Sequence, residues 1–169
     1  MKRMLIGTGI VLLALLGVAF FLPSQSQFGH TKKVRMPAEE VFPHLMDLKK
    51  WATWHPQIMH KDAEYSGFSM DAGAWVRWKD ALKGEVTLEL TETSVNEHVK
   101  YEIVYAKTGE KQKGTISLKR DGGNTQLEWS HEGVQPKNLL DKVSGFFAPS
   151  TMADMMANGL TNLKKVSES

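Results

Sequence analysis

Hydrophobic and polar residues alternate with a period of two through the middle of the chain, which is the pattern of β-strands with one buried face. The alternation is clearest in four segments: Gly84–Ser94, His98–Tyr105, Thr115–Arg120 and Thr125–Val134. Further strands are predicted in three shorter segments: Gly29–Arg35, Ala63–Gly67 and Ala74–Trp78. Because the long segments are polar on one face, we expect an antiparallel sheet of about six or seven strands with one face in water.

Apolar residues at spacings of three and four predict helices on both sides of these strands. Before the strands, Pro37 opens a short helix that Pro43 interrupts, and a second short helix covers Leu48–Thr53. After the strands, Asn138–Phe147 and the residues that follow Pro149 predict a long C-terminal helix with a break at this proline. The inner face of the sheet needs a cover, and this helix is the largest element left to supply it.

The N-terminal segment Met4–Leu22 is apolar over 19 residues and contains no charge. As a helix it would be about 28 Å long, close to the thickness of the hydrocarbon core of a bilayer. Lys2 and Arg3 precede it, so the positive-inside rule places the N-terminus in the cytoplasm. The alternative is a cleaved signal peptide with a processing site at Ser24–Ser26.

Three regions follow from this segment. We expect an anchor at residues 1–22, a short linker at residues 23–28 and one soluble domain at residues 29–169. The protein would then be a single-pass protein of the cytoplasmic (inner) membrane, with its domain on the extracytoplasmic, periplasmic side. The short linker would hold this domain close to lipid.

The charges of the predicted domain balance each other. Lys2 and Arg3 are two of the 21 basic residues, and the remaining 19 match the 19 acidic residues of the chain, so nucleic acid is not an expected partner. The absence of cysteine excludes disulfides, thiol catalysis and cysteine metal sites. We expect neither a cofactor nor a metal, because phosphate-binding and dinucleotide motifs are absent and His55 and His60 lack the spacing of a helical zinc pair.

Four stretches of the sequence resemble one known superfamily. In Val34–Phe42, a strand is followed by Pro-Ala and then by a Val-aromatic pair. Asp47 precedes the Trp-x-x-Trp-x-Pro stretch Trp51–Pro56. The other two stretches are Ala72–Trp78 and Gly159–Lys164. In this order they resemble the START-like (SRPBCC) superfamily, in its polyketide cyclase/dehydrase-like and lipid-transport-like branch. The resemblance covers residues 29–166. It implies an α+β helix-grip fold, in which a curved antiparallel sheet surrounds a long C-terminal helix.

The resemblance also implies a cavity for a hydrophobic small molecule or lipid under the C-terminal helix. Alternation and helical spacing select the residues that would line it: Trp78, Leu88, Tyr101, Ile103, Tyr105, Leu127, Trp129, His131, Phe146, Phe147, Met152, Met155 and Met156. A solid hydrophobic core would use the same residues, so the sequence leaves open whether the cavity is empty or filled. The sequence gives no indication of an oligomeric state.

Two other functions compete with non-catalytic binding. His131 shares the inward face of its strand with Trp129, and a histidine in an apolar cavity can transfer protons. Together with Tyr101 or Tyr105 it would suit an enzyme of the cyclase or dehydrase type. The other alternative is a protein-interaction module of the cell envelope with a filled core. Ordinary core packing explains the tyrosines and the histidine without either activity.

Overall fold

The computed structural model describes residues 27–132 and 149–169. The predicted anchor Met4–Leu22 lies outside the described residues, and so does the predicted helical segment Asn138–Phe147, with Phe146 and Phe147. No helix within residues 27–132 and 149–169 combines the length and the apolar character that crossing a bilayer requires.

The described residues form seven strands and four helices. The strands are β1 (Gln27–Val34), β2 (Ala63–Tyr65), β3 (Trp75–Asp80), β4 (Gly84–Ser94), β5 (His98–Tyr105), β6 (Glu110–Asp121) and β7 (Asn124–Glu132). The helices are α1 (Ala38–Val41), α2 (Pro43–Met46), α3 (Leu48–Trp54) and α4 (Pro149–Ser167). The predicted strand, short helices, strands and terminal helix are therefore confirmed in their order along the chain.

The seven strands form one antiparallel sheet in the order β1-β7-β6-β5-β4-β3-β2. Strands β2 to β7 are neighbours in the order of the chain, and β1 pairs with β7 at one edge of the sheet. Between Leu90 and Glu92 the register of β4 against β5 shifts, which leaves Thr91 as an extra residue in β4. Such a bulge bends its strand locally and increases the twist.

The inner face of the sheet carries the residues that the alternation selected. Its buried side chains include Val86, Leu88, Leu90, Val99, Tyr101, Ile103, Tyr105, Ile116, Leu118, Leu127 and Trp129. The predicted bounds of β6 were wrong, because the strand begins at Glu110 and not at Thr115. The added residues of β6 contain no large apolar side chain, yet they pair with β5 in full register.

Helix α4 packs against β1, β7 and α3. Met156, Leu160 and Leu163 of its predicted apolar stripe are buried, and Met152 and Met155 pack partly buried against the core. Its last turn is fixed to β1, since Lys164 Nζ donates a hydrogen bond to the Lys33 carbonyl at 2.9 Å. Hydrophobic burial and this hydrogen bond both attach α4 to the rest of the domain.

The three short helices place two tryptophans in the interior. Pro43 ends α1 and starts α2, since proline fits the first helical turn but lacks the amide hydrogen that a helix interior needs. Asp47 caps α3 by accepting a hydrogen bond from the Lys49 amide at 3.0 Å. The indole nitrogen of Trp51 donates to the Leu45 carbonyl and that of Trp54 to the His44 carbonyl, so both rings are buried with satisfied donors.

Candidate ligand site

An aromatic cluster fills the interior where α3, α4, β5 and β7 meet. Its members are Trp51, Trp54, His55, Tyr101 and Trp129, none more than 1% exposed. The His55 ring stacks on Trp51 with ring centres 5.1 Å apart, and Trp54 meets Trp129 edge to face at 5.8 Å. Aromatic pairs at such separations contribute about 0.5–1.5 kcal/mol each beyond the burial of their surface. Side chains therefore occupy this part of the hollow under α4.

Two glycines make room for this cluster. A Cβ atom at Gly159 of α4 would lie 2.5 Å from Cζ3 of Trp129, and a Cβ atom at Gly114 of β6 would overlap the ring of Tyr101. Both glycines are buried, and Gly114 stands directly opposite Tyr101 in the register of β5 and β6. The missing side chains let a helix and a strand approach two large rings.

A chain of hydrogen bonds links the cluster to the neighbouring strands. The indole nitrogen of Trp129 donates to the Tyr101 hydroxyl at 2.8 Å, and this hydroxyl lies 3.5 Å from Nδ1 of His131. Nε2 of His131 lies 3.0 Å from Oε1 of Gln112. An amide oxygen only accepts hydrogen bonds, so this contact places the proton of neutral His131 on Nε2 and leaves Nδ1 to accept from Tyr101.

The same amide oxygen extends the chain to a second tyrosine. The Tyr105 hydroxyl donates to Oε1 of Gln112 at 3.2 Å, and Nε2 of Gln112 donates to Glu110 at 2.5 Å. Tyr101, Tyr105, Gln112 and His131 thus form one buried polar chain, with Glu110 at its outer end. Because buried polar groups are costly unless they are paired, this chain fixes the rotamers of both tyrosines.

Burial keeps the two interior histidines uncharged. It lowers the pKa of His55 to about 3, with a smaller contribution from His131, and lowers the pKa of His131 to about 4, with a smaller contribution from Lys83. Burial also raises the pKa of the Tyr101 hydroxyl above its ordinary value. Neither ring nitrogen of His55 has a hydrogen-bond partner within residues 27–132 and 149–169. His55 therefore contributes an aromatic surface at the expense of two unpaired polar atoms.

Next to Tyr105 the structure contains a pocket of about 260 Å³, which we call the open pocket. Its apolar wall is formed by Pro56, Trp78, Val86 and Tyr105. Its polar rim is formed by Gln57, Lys61, Asp80 and Lys83. A wider depression of about 520 Å³ lies over β2 and β3, but its lining includes the charged Asp62, Glu64, Arg77, Lys79 and Glu85. Apolar walls with a few polar groups are typical of small-molecule sites, which favours the open pocket.

The structure divides the predicted cavity residues among several environments. Trp78 and Tyr105 line the open pocket, whereas Tyr101 and Trp129 belong to the aromatic cluster. His131 is buried in the polar chain. Four others are buried in the core, and two lie partly buried on α4: Leu88, Ile103, Leu127, Met156, Met152 and Met155. Phe146 and Phe147 lie outside the described residues, and lining of a ligand cavity by the full set stays a prediction.

Several residues of the site were not selected from the sequence. Gln112 is buried on the inner face, but it lies in the polar stretch before the predicted start of β6. Gln57, Lys61 and Lys83 reach the open pocket from loops, where no periodicity indicates direction. A signal for Gln112 existed, because counting backward by two from Ile116 places both Gly114 and Gln112 on the inner face.

The fold agrees with a comparison of the sequence against family models. The chain matches the family described as "Polyketide cyclase / dehydrase and lipid transport" over residues 26–168. It therefore belongs to this family, within the START-like (SRPBCC) superfamily, and the predicted resemblance is confirmed. A search of curated proteins found no match.

Solved structures show the same fold at low sequence identity. A protein of unknown function from Staphylococcus aureus aligns with a TM-score of 0.67 at 14% identity, covering 85% of this chain and 94% of the other. A protein from Mesorhizobium loti gives 0.65 at 14% identity, with coverage of 85% and 97%. A protein from Chromobacterium violaceum gives 0.62 at 15% identity, with the same coverage. These likenesses establish the α+β helix-grip architecture.

Proposed function

We propose that this protein binds a hydrophobic small molecule or lipid without transforming it, and that the open pocket receives the apolar part of the ligand. The observation that carries the proposal is the pocket of about 260 Å³, whose lining includes the apolar side chains of Trp78 and Val86 and the ring of Tyr105. Membership of a family described by lipid transport supports the same function.

We also propose that the N-terminal segment anchors the domain on the outer side of the cytoplasmic membrane. The apolar run Met4–Leu22 with Lys2 and Arg3 before it supports this location. A domain held there would reach ligands that partition into the bilayer. Protease added to spheroplasts should then digest the domain, and a domain that stays intact until the cells are lysed would contradict the location.

A cyclase or dehydrase-type enzyme is a second candidate, favoured by the convergence of Tyr101, Gln112 and His131 within hydrogen-bond reach. A neutral histidine can act as a base, but a pKa of about 4 leaves His131 a weak base near neutral pH. Gln112 already engages Nε2, and Nδ1 faces the Tyr101 hydroxyl. Both ring nitrogens are thus occupied by protein groups, so the geometry suits a structural histidine better than a proton-transfer group.

The outer face of the sheet gives less support to a protein-interaction module than the pocket gives to ligand binding. That face carries ion pairs across neighbouring strands, including Lys111 with Glu102 and Lys119 with Glu128. Large exposed apolar residues of the described chain lie in connecting segments and not on this face: Phe68, Met70, Leu82 and Val95. A charged, ion-paired surface resembles solvent-facing sheet more than the apolar patch of an interface.

The proposed binding is tested with phenylnaphthylamine, a neutral apolar dye that fluoresces in apolar surroundings. The full chain, kept in solution by a non-ionic amphipol, is titrated with the dye while energy transfer from tryptophan is recorded. We expect saturable binding that Val86→Phe weakens at least tenfold, because the larger side chain fills the pocket.

The matched control is Val104→Phe, the same change on the outer face of β5, beside Ile103 and Tyr105. It should leave the dye affinity as it was. Circular dichroism of both variants shows whether each retains the fold. If the dye fails to saturate, or binds a folded Val86→Phe variant as tightly as the unchanged chain, the proposed function is wrong.

A further inference from the structure

We propose that the ligand of the open pocket is an anionic amphiphile, whose acidic headgroup lies between the ammonium groups of Lys61 and Lys83 while its apolar body covers Trp78 and Val86. This inference rests on the proposed function and adds the chemical class of the ligand. The fatty acid carboxylate is the simplest member of the class, and a lipid with an acidic headgroup is a larger one.

The wall of the pocket determines the apolar part of the ligand. Trp78 is 4% exposed, Val86 1% and Tyr105 2%, although all three face the free volume of the pocket. The Tyr105 hydroxyl is held by Gln112, which keeps this polar atom in the polar chain. The apolar residues of the lining lie on one side of the pocket, and an uncharged chain or ring fits that side best.

Lys83 stands at the rim with its charge directed toward the site. Its Nζ atom lies 4.0 Å from the centre of the Tyr105 ring, where a cation–π attraction holds the side chain over the pocket wall. An ammonium held in this way is partly desolvated by the ring but keeps donors for an anion. The lysine is thus placed in advance for a headgroup that leaves the pocket at this point.

Lys61 reaches the same rim from the loop after α3. Its amide donates to the Ile58 carbonyl at 3.0 Å, and the preceding His60 has a φ of 61°, in the left-handed region. A histidine with positive φ is uncommon and costs about 1 kcal/mol or more, so the surrounding turn must hold this shape. The turn fixes where Lys61 leaves the backbone and brings it to the pocket.

These two lysines have no carboxylate partner within 4.0 Å in the part of the chain that the structure describes. Asp80 is the acidic residue of the rim, and its Oδ1 accepts hydrogen bonds from the amides of Leu82 and Lys83 at 2.9 Å each. These amides lower the pKa of the Asp80 carboxyl and tie it to the β3–β4 turn. With two ammonium groups and one carboxylate, the rim carries a positive excess that attracts an anion.

Gln57 supplies a further polar contact at the rim. Its Oε1 atom is buried and has no hydrogen-bond partner within residues 27–132 and 149–169, although the side chain lines the open pocket. An unpaired buried amide oxygen costs free energy until a donor reaches it. The amide also carries an NH₂ donor, and this donor can serve an acidic headgroup at the rim.

The test compares phenylnaphthylamine with anilinonaphthalene sulfonate, which has the same aromatic body and one added sulfonate. Both dyes are titrated into the full chain in the non-ionic amphipol. Lys61→Gln and Lys83→Gln should each weaken the sulfonate dye about fivefold, the value of a partly exposed ion pair of about 1 kcal/mol. Neither change should alter the affinity of the neutral dye, and added salt should weaken only the charged one.

Lys113→Gln is the matched control, since Lys113 is an exposed lysine on β6 that does not line the pocket. It should leave both affinities unchanged. If the two dyes bind equally well, or if the rim variants weaken both alike, the anionic ligand class is wrong while hydrophobic binding stands. Sulfonate binding that survives a folded Val86→Phe variant also contradicts the proposal. Failure of both dyes to bind would instead overturn the proposed function itself.

Discussion

The two ends of the interior differ in how fully side chains fill them, although the same strands run through both. At one end the aromatic cluster and two glycines leave little room between α4 and the sheet. At the other end, Trp78, Val86 and Tyr105 line a volume of about 260 Å³. The comparison shows that one inner face can stabilise the fold at one end and keep space for a ligand at the other.

Tyr101 and Tyr105 show the difference within a single strand. They are four residues apart on the inner face of β5 and both are almost fully buried. Tyr101 packs edge to face on Trp51, and its hydroxyl serves as acceptor for Trp129. Tyr105 carries Lys83 over its ring and borders the open pocket. Burial alone therefore does not separate a core residue from one that lines a pocket.

The largest expected effect is the loss of stability when a side chain is removed from the filled end of the interior. Trp129→Ala should lower the free energy of unfolding by about 3–5 kcal/mol, because it leaves a cavity under α4. Val86→Phe at the open end should cost less, about 1–3 kcal/mol, since part of the added volume can enter the pocket. Urea unfolding of the full chain in amphipol measures both. Equal losses for the two variants would show that the ends are packed alike.

A smaller effect separates the two tyrosines. Tyr101→Phe should destabilise the protein by about 1–3 kcal/mol, because the buried indole nitrogen of Trp129 then has no acceptor. Tyr105→Phe should cost about 1 kcal/mol or less, because Gln112 keeps its contact with His131. The same unfolding measurement applies. A greater loss for Tyr105→Phe would place the structural hydrogen bond at the pocket and not in the cluster.

A further expected effect is a dependence of stability on pH, which grows as the pH falls below 6.5. Burial lowers the pKa of His55 from 6.5 to about 3 and that of His131 from 6.5 to about 4. Between those values and 6.5 the unfolded chain binds protons that the folded chain excludes. Stability is thus complete above pH 6.5 and falls with decreasing pH, by about 1.4 kcal/mol per pH unit for each histidine.

His55→Phe should remove one histidine's share of this slope and keep the aromatic contacts with Trp51. Unfolding is measured between pH 6.5 and about 5, a range that lies above the ordinary carboxyl pKa of 4.5. His44, whose pKa burial also lowers, contributes equally to both proteins. His60→Asn, on the exposed loop, is the control and should keep the full slope. An unchanged slope in His55→Phe would mean that His55 is already solvated in the folded protein.

Much of the fold could be predicted from the sequence because its strands have one solvent-exposed face and one buried face. Period-two alternation placed β4 and β5 at their observed bounds, and Pro43 marked the boundary of two short helices. The alternation failed at the start of β6, where Gln112 and Gly114 occupy inward positions without being apolar. Counting back by two from Ile116 gives the direction of both residues, but not that Gly114 makes room for Tyr101 or that Gln112 has buried hydrogen-bond partners.

The candidate site was less accessible to the same reasoning. Trp78 and Tyr105 were selected as inward residues, but nothing in their spacing distinguishes them from Leu88 or Trp129. Lys61 and Lys83 reach the rim from two loops that lie far apart in the sequence. Long-range packing decides which inward side chains meet others and which meet free space, and periodicity carries no such information.

The extra residue in β4 has a consequence for how this hairpin can vary. If β4 continued past the inward Leu90 without the bulge, strict alternation would turn the Glu92 carboxylate toward the interior, whereas the shifted register leaves Glu92 exposed and paired with Lys100. Substitution of Thr91 by another exposed residue preserves that correction. Deletion of Thr91 would place Glu92 directly after Leu90, still on the outer face, and would remove the local bend of β4. The bend of β4 therefore depends on the presence of one extra residue and not on its type.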